Sequence, residues 1–241
     1  MATVTRYQAV PRGLVRVAAL LTSGDRMSQA EFHRRYEQYP EHIKFELIKG
    51  TVYTASPEGM PHSKHAVMLT TVLGNYQADT PGVEAGSDPT VILGGESEPQ
   101  PDVLLRILPD CGGRSRNEGL YLAGPPELVI EIAYSSAAID LHDKKDDYER
   151  NGVIEYVVVC IEEQHVHWFD LAKHKSNKLR RDAILRSKVF PGLWVDTKAL
   201  FRGEIKRLLQ VLNEGLCSPE HSRFVRRLAK AAAARKRRAN K

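Results

Sequence analysis

The pattern of apolar positions along the chain predicts strands and helices in alternation. Residues 128–134 and 155–161 are nearly continuous apolar runs, which are typical of strands buried on both faces of a sheet. Residues 62–78 instead place apolar side chains at helical spacing, which predicts an amphipathic helix. A helix is also expected between the two buried strands, with Asp140 as its N-cap. A strand, a helix and a strand in this order predict a crossover unit in a mixed sheet.

Shorter signals extend this pattern. Ser28 is followed three residues later by Glu31, a capping box that predicts a short helix ending near residue 38. The segments 45–48 and 51–54, joined through Lys49 and Gly50, predict a β-hairpin. The remaining predicted elements are strands at 83–86, 90–93, 102–107 and 166–171, and helices at 202–213 and 219–234. The predicted fold class is α/β (α+β), a mixed β-sheet core flanked by helices, with a C-terminal helical basic tail.

Charge is distributed unevenly along the 241 residues. Residues 220–241 carry nine Lys or Arg and one Glu, whereas residues 1–219 carry 26 basic and 29 acidic side chains. We therefore expect an N-terminal arm (1–26), one domain (27–215) and a basic C-terminal helix and tail (216–241). The basic run is suited to nucleic-acid phosphates, and it is equally suited to keeping the protein in solution.

Other function classes have little support in the sequence. The longest apolar runs are too short to span a bilayer, and the N-terminus lacks a signal peptide, so we expect a cytoplasmic protein without membrane contact. Cys111, Cys160 and Cys217 are scattered and form no CxxC pair, which argues against a zinc site. Cys160 stands in an apolar strand and is expected to be a core residue.

One carboxylate interrupts a predicted buried strand and therefore needs a partner. Glu131 stands between Ile130 and Ile132, and an unpaired buried charge costs several kcal/mol or more. A lysine or a divalent metal ion would balance that charge. A plain structural ion pair is the competing interpretation.

A second carboxylate makes a metal site plausible. Asp102 opens another predicted strand, and if the two strands are neighbours, Asp102 and Glu131 come close together. Two adjacent carboxylates repel unless one is protonated or a cation lies between them, and Mg²⁺ binds one or two carboxylates together with waters. Lys144 and Lys145 both flank the inward face of the helix that follows, and periodicity does not choose between them.

A series of separated motifs runs along the chain. They are Phe45-Glu46-Leu47-Ile48-Lys49-Gly50, Ser56-Pro57, His62, Pro101-Asp102-Val103, Pro126-Glu127-Leu128-Val129-Ile130-Glu131-Ile132-Ala133, Ser135-Ser136, Asp140-Leu141-His142-Asp143-Lys144, Tyr148 and Asn151-Gly152-Val153-Ile154-Glu155-Tyr156. In this order the motifs resemble the Uma2 family, bacterial proteins similar to restriction endonucleases. The resemblance covers about residues 27–215.

The resemblance implies a restriction-endonuclease-like fold of the PD-(D/E)xK type. In this fold Asp102, Glu131 and the backbone carbonyl of Ile132 would be the metal ligands. Ala133 stands where the fold usually has its lysine, and Lys144 from the next helix aligns with that role. A long side chain can reach the same point from another element.

The resemblance also draws attention to Glu46 and His62 as candidate catalytic residues. Glu46 would complete the acidic site or hold the lysine, or it forms an ion pair at the base of the hairpin. His62 would act in the site, or it caps or packs against the helix that begins beside it. Tyr148 is expected to be a core aromatic residue that positions Lys144.

Three functional hypotheses follow. The first is a DNA endonuclease that depends on Mg²⁺ or Mn²⁺, with Asp102 and Glu131 as ligands and Lys144 assisting the attacking water. The second is a nuclease fold without catalytic activity that binds nucleic acid or regulates another protein. The third is a structural partner in an assembly, for example a homodimer, with residues 202–234 as the interface.

Overall fold

A six-stranded mixed sheet forms the centre of the protein in a computed structural model that describes residues 20–40, 42–54, 59–134 and 137–239. The strands are β1 (Phe45–Ile48), β2 (Thr51–Thr54), β3 (Val83–Ser87), β4 (Val91–Ile92), β5 (Val103–Ile107), β6 (Arg116–Glu118), β7 (Tyr121–Ala123), β8 (Leu128–Ala133), β9 (Glu155–Cys160), β10 (His165–Asp170), β11 (Lys175–Asn177), β12 (Ile184–Arg186) and β13 (Trp194–Asp196). The helices are α1 (Gln29–Tyr36), α2 (Met60–Ala78), α3 (Ala137–Ile139), α4 (Lys145–Arg150), α5 (Thr197–Arg202), α6 (Ile205–Leu216) and α7 (Pro219–Ala239). Most of the predicted N-terminal arm, together with Ser56-Pro57 and Ser135-Ser136, lies outside the described residues.

The sheet has the strand order β11-β10-β9-β8-β5-β3. β8 and β9 are parallel and are connected through α3 and α4, so the predicted crossover unit is confirmed. The neighbouring pairs β5–β8 and β9–β10 are antiparallel. The α/β (α+β) class with a mixed sheet and flanking helices is therefore confirmed.

Successive side chains of a strand point to opposite faces of the sheet, so the core is divided between the two faces. On one face, Ile130 and Ile132 of β8 pack in the main core with α2, α5, α6 and α7. On the other face, Val129 and Ala133 pack with the helical segment that links β8 to β9. Glu131 lies on this second face, so the candidate site lies on the same side of the sheet. Cys160 is buried on the same face, as predicted.

The two local motifs read from the sequence are present. The Ser28 side chain caps α1 by accepting a hydrogen bond from the Glu31 amide at 3.4 Å. β1 and β2 form the hairpin, in which Lys49 and Gly50 both have positive φ angles of 51° and 74°. A two-residue turn with both φ angles positive matches the twist of the strands, and glycine adopts that conformation without strain.

The helix after β8 differs from the prediction. Helical residues already begin at Ala137, so Asp140 lies within the helix and its assignment as an N-cap was wrong. A π-helical turn, Asp140–Lys144, separates α3 from α4. π-helical turns often occur at functional sites, because the extra residue changes the direction in which the side chains point.

The C-terminal region contains more helix than predicted. The helix expected at 202–213 corresponds to α6, which begins at Ile205 and ends at Leu216. An additional helix, α5, precedes it and ends at Arg202, with Gly203 as its C-cap at a φ of 75°. α7 extends five residues beyond the predicted end at 234. Phe224 and Leu228 of α7 are buried in the main core, so the basic helix packs on the domain.

No helix in the described part of the chain has both the length and the hydropathy needed to cross a bilayer.

Candidate active site

The antiparallel pairing of β5 with β8 brings Asp102 and Glu131 together. Val103 lies opposite Ile130, so Asp102, just before β5, lies beside the end of β8. The Asp102 amide is 3.4 Å from Oε2 of Glu131, and Oδ2 of Asp102 accepts a hydrogen bond from the Ile132 amide at 2.6 Å. The two carboxylates expected to meet are therefore neighbours.

Lys144 reaches this pair from the π-helical turn. Its Nζ lies 3.1 Å from Oε1 of Glu131 and 3.8 Å from Oδ1 of Asp140, and only 7% of the residue is exposed. Lys145 instead pairs with Glu149 at 3.1 Å, away from the cluster. The structure thus distinguishes the two lysines, which the sequence pattern did not do.

Glu46 and His62 complete the cluster from two other elements. Glu46 of β1 places Oε1 3.0 Å from Nζ of Lys144 and accepts the Gln100 amide at 2.8 Å. His62, in the first turn of α2, has Nε2 3.2 Å from Oδ2 of Asp102. All five candidate catalytic residues therefore meet, and Glu46 forms an ion pair with the candidate lysine.

Sequence reasoning missed two contacts inside the site. The Tyr148 hydroxyl donates a hydrogen bond to Oε1 of Glu131 at 2.7 Å, so Tyr148 orients the carboxylate that also pairs with Lys144. Asp140, treated as a cap, is a buried acid of the cluster. Asp140, Lys144 and Tyr148 recur every four residues, the spacing that brings helical side chains onto one face, and this signal was available.

The cluster is buried and carries a surplus of negative charge. Four carboxylates, those of Glu46, Asp102, Glu131 and Asp140, surround the single ammonium of Lys144. Burial raises the pKa of Glu131 well above its usual value; Lys144 lowers it, and the other three carboxylates raise it further. Burial lowers the pKa of Lys144, but the surrounding carboxylates outweigh this effect, so its net pKa shift is upward. Lys144 is therefore cationic, and a further positive charge would stabilise the cluster.

The donor set fits an open metal site. Within the described ranges, no group of three or more His, Cys, Asp or Glu side chains is arranged to hold a metal ion, so a site here would rest on fewer protein side chains. Mg²⁺ needs only one or two carboxylates, because waters and substrate oxygens supply its other ligands. The Asp102 side chain is 15% exposed, which opens the pair to solvent.

The backbone of Ile132 adds a further oxygen at this position. Ile132 lies beyond the Val103–Ile130 pair, where the pairing of β8 with β5 ends. Its amide donates to Asp102, and the amide and carbonyl of one strand residue point to the same side. The Ile132 carbonyl therefore points toward the Asp102 side of the strand, which suits a ligand.

Comparisons with known proteins identify the family of the chain. The model of the Uma2 family, described as "Putative restriction endonuclease", matches residues 30–198. The chain belongs to the Uma2 family. No curated protein is similar enough to match it.

One solved structure has a fold similar to that of this Uma2 chain. It is a crystal structure described as "a putative nuclease belonging to DUF820 from Anabaena variabilis ATCC 29413", and it matches with a TM-score of 0.57. The match covers 70% of this chain and 97% of that chain at 16% sequence identity. At that identity the likeness shows that the two proteins share a fold. The family match ends at 198, so α6 and α7 lie beyond it.

Proposed function

We propose that this Uma2 protein is a metal-dependent endonuclease that hydrolyses phosphodiester bonds of DNA. The observation that supports the proposal most strongly is the meeting of Asp102, Glu131 and Lys144 in one buried cluster. Asp102 lies just before β5, Glu131 lies in β8 and Lys144 lies in the π-helical turn, so three separate parts of the fold supply the cluster. The Uma2 family match and the nuclease fold of the solved neighbour support the same class of enzyme.

Asp102, Glu131 and the Ile132 carbonyl would hold Mg²⁺ or Mn²⁺ in this proposal. Such an ion polarises a phosphoryl oxygen and lowers the pKa of bound water. Tyr148 fixes the Glu131 carboxylate, and His62 together with the Ile132 amide fixes the Asp102 carboxylate. Ligands that are already held in place lose little entropy when they bind an ion.

Lys144 has the position of a group that assists the attacking water. Its ammonium forms ion pairs with Glu131 and Glu46, so its positive charge lies beside the carboxylates of the cluster. A fixed positive charge stabilises the negative charge that develops on the phosphate during attack. The water loses a proton as its oxygen forms a bond to phosphorus, the bond from phosphorus to a sugar oxygen breaks, and that oxygen takes up a proton, so the net reaction adds one water across the phosphodiester bond.

A second candidate function has its own supporting observation. Glu131 already has Lys144 and Tyr148 as partners, so the acid pair is partly satisfied without metal. A nuclease fold with such internal pairing can bind or regulate without catalysis. An endonuclease would cleave DNA when metal is present, whereas a non-catalytic nuclease fold would not, so metal-dependent cleavage distinguishes the two functions.

The test is a nicking assay on supercoiled plasmid with purified protein. With Mg²⁺ we expect nicked circles to accumulate, and with excess chelator we expect none, because the acid pair needs the cation to engage phosphate. Mn²⁺ at about 100 times its Kd should also stabilise the fold by about 2.7 kcal/mol, measured as a higher Tm. If plasmid stays intact and the Tm does not respond to Mn²⁺, the non-catalytic function is the correct one.

A further inference from the structure

α7 presents a row of basic side chains to solvent along one face, called here the basic stripe. The stripe consists of Arg223, Arg226, Arg227, Lys230 and Arg237, all exposed. Their spacing of three, four, seven and fourteen residues from the first member places them on one side of a helix. Over these fourteen residues the stripe extends about 21 Å at ~1.5 Å per residue.

The opposite face of α7 is used for packing. His221, Phe224 and Leu228 are buried, and Phe224 contacts the Phe190 ring with centroids 6.1 Å apart. Arg235 ties the far half of the helix to the domain, through Asp110 at 3.2 Å and the Pro109 carbonyl at 2.8 Å. The stripe is therefore held on a fixed helix and points away from the core.

The internal ion pairs of the described residues do not neutralise the middle of the stripe. Arg223 pairs with Glu220 at 2.8 Å, but no described carboxylate lies within salt-bridge distance of Arg226, Arg227 or Lys230. Arg223 and Arg227, like Arg226 and Lys230, are like charges four residues apart, which destabilises a helix. The favourable effect of cations at a helix C-terminus is limited to the last turn, so it does not account for these mid-helix residues.

Arg227 also lines a cleft of about 400 Å³ whose walls carry three further basic side chains, those of Arg114, Lys173 and Lys188, and three acids, Glu127, Glu155 and Asp170. The acids offset part of the positive charge, because Glu127 pairs with Arg114 at 3.5 Å and Asp170 pairs with Lys173 at 3.2 Å. The basic side chains outnumber the acids by one, and Arg227 is the cation that the cleft shares with the stripe.

We infer that the basic stripe of α7 and the adjoining cleft form a second nucleic-acid surface, which binds the phosphate backbone without base contacts. A row of uncompensated cations complements a duplex, which carries a negative charge about every 1.7 Å along its axis. A lipid surface fits less well, because an amphipathic helix binds a bilayer through its apolar face, and in α7 that face is buried in the core.

The second surface is separate from the acid cluster. α7 packs on the turn Pro109–Cys111, which follows β5, whereas Asp102 precedes β5. Asp102 and Ile107 are five residues apart in the sequence, roughly 16 Å at about 3.3 Å per residue. Bound DNA would thus be anchored at the end of the sheet away from the candidate active site. The inference extends the proposed function, which supplies DNA as the substrate, but binding can be measured without cleavage.

The test compares two triple variants of the full chain in the presence of chelator. The stripe variant is Arg226→Gln, Arg227→Gln and Lys230→Gln, and the matched control is Arg180→Gln, Arg181→Gln and Lys178→Gln. Both change two Arg and one Lys, and all six side chains are exposed, so the fold should persist. The probe is a fluorescent duplex of about 30 base pairs, long enough to span both surfaces, with affinity measured by anisotropy across a salt series.

The stripe variant is expected to lose affinity by on the order of 10- to 100-fold near physiological salt, and its salt slope should fall by about 3. The control variant should remain close to the wild type in affinity and slope. Asp102→Asn, which the proposed function expects to be inactive, should bind the duplex as the wild type does. Equal affinities of the stripe and control variants would overturn the inference. Loss of binding to phosphatidylserine vesicles with unchanged DNA binding would overturn it as well, in favour of a membrane.

Discussion

Asp102→Asn is expected to reduce Mg²⁺-dependent nicking on the order of 1,000-fold while the protein remains folded. Asparagine has nearly the same shape as aspartate, and its carbonyl oxygen can still accept the Ile132 amide hydrogen bond. What it loses is the negative charge that would hold the cation beside Glu131. The measurement is the initial rate of plasmid nicking, together with the Tm in the absence of metal.

The matched control for this variant is Asp79→Asn. Asp79 is an exposed acid at the C-terminal end of α2, far along the helix from His62, so the same chemical change should leave the nicking rate unaltered. Nicking by Asp102→Asn at the rate of Asp79→Asn would remove Asp102 from the active site, and a contaminating nuclease would then be the first alternative to examine.

Lys144→Met is expected to destabilise the fold by about 3–5 kcal/mol. Lys144 is the ammonium that Glu131, Glu46 and Asp140 share in a buried cluster. Methionine fills a similar volume but leaves these carboxylates without a counter-charge, and an uncompensated buried charge is costly. The free energy of unfolding, measured by urea denaturation without metal, reports the loss.

Two further variants make this stability prediction specific. Lys145→Met, one residue further along, should cost less than about 1 kcal/mol, because the ion pair with Glu149 is closer to solvent. Adding Glu131→Gln to Lys144→Met should recover part of the lost stability, since it removes one of the uncompensated charges. Nicking activity should not return with stability in that double variant. If Lys144→Met and Lys145→Met are equally stable, Lys144 does not hold the cluster together.

Much of the central fold can be predicted from the sequence, because a charged side chain there interrupts positions that are otherwise apolar. A carboxylate at Glu131 within a continuous apolar strand requires a partner, and a strand beginning at Asp102 can supply a neighbour. The crossover connection then follows from two buried strands with a helix between them. The hairpin at Lys49-Gly50 and the cap at Ser28 are local motifs that need no tertiary information.

The features that sequence reasoning missed depend on tertiary contacts or on weak local signals. The π-helical turn adds a residue to the helix register, and periodicity at 3.6 residues per turn does not reveal such a turn. Asp140 has an interior position because helical residues begin at Ala137. β6 consists of three exposed polar residues, so its pairing with β7 leaves no hydrophobic pattern. Lys144 and Lys145 have the same helix propensity, and tertiary packing directs the side chain of Lys144 inward to Glu131 while Lys145 pairs with Glu149.

Mn²⁺ anomalous scattering from crystals of the protein tests most directly whether a cation binds between the carboxylates of Asp102 and Glu131. The expected result is an anomalous peak in contact with the carboxylates of Asp102 and Glu131 and with the Ile132 carbonyl, absent from crystals of Asp102→Asn. Mn²⁺ bound only elsewhere, with Glu131 still closed onto Lys144 and Tyr148, would contradict the account.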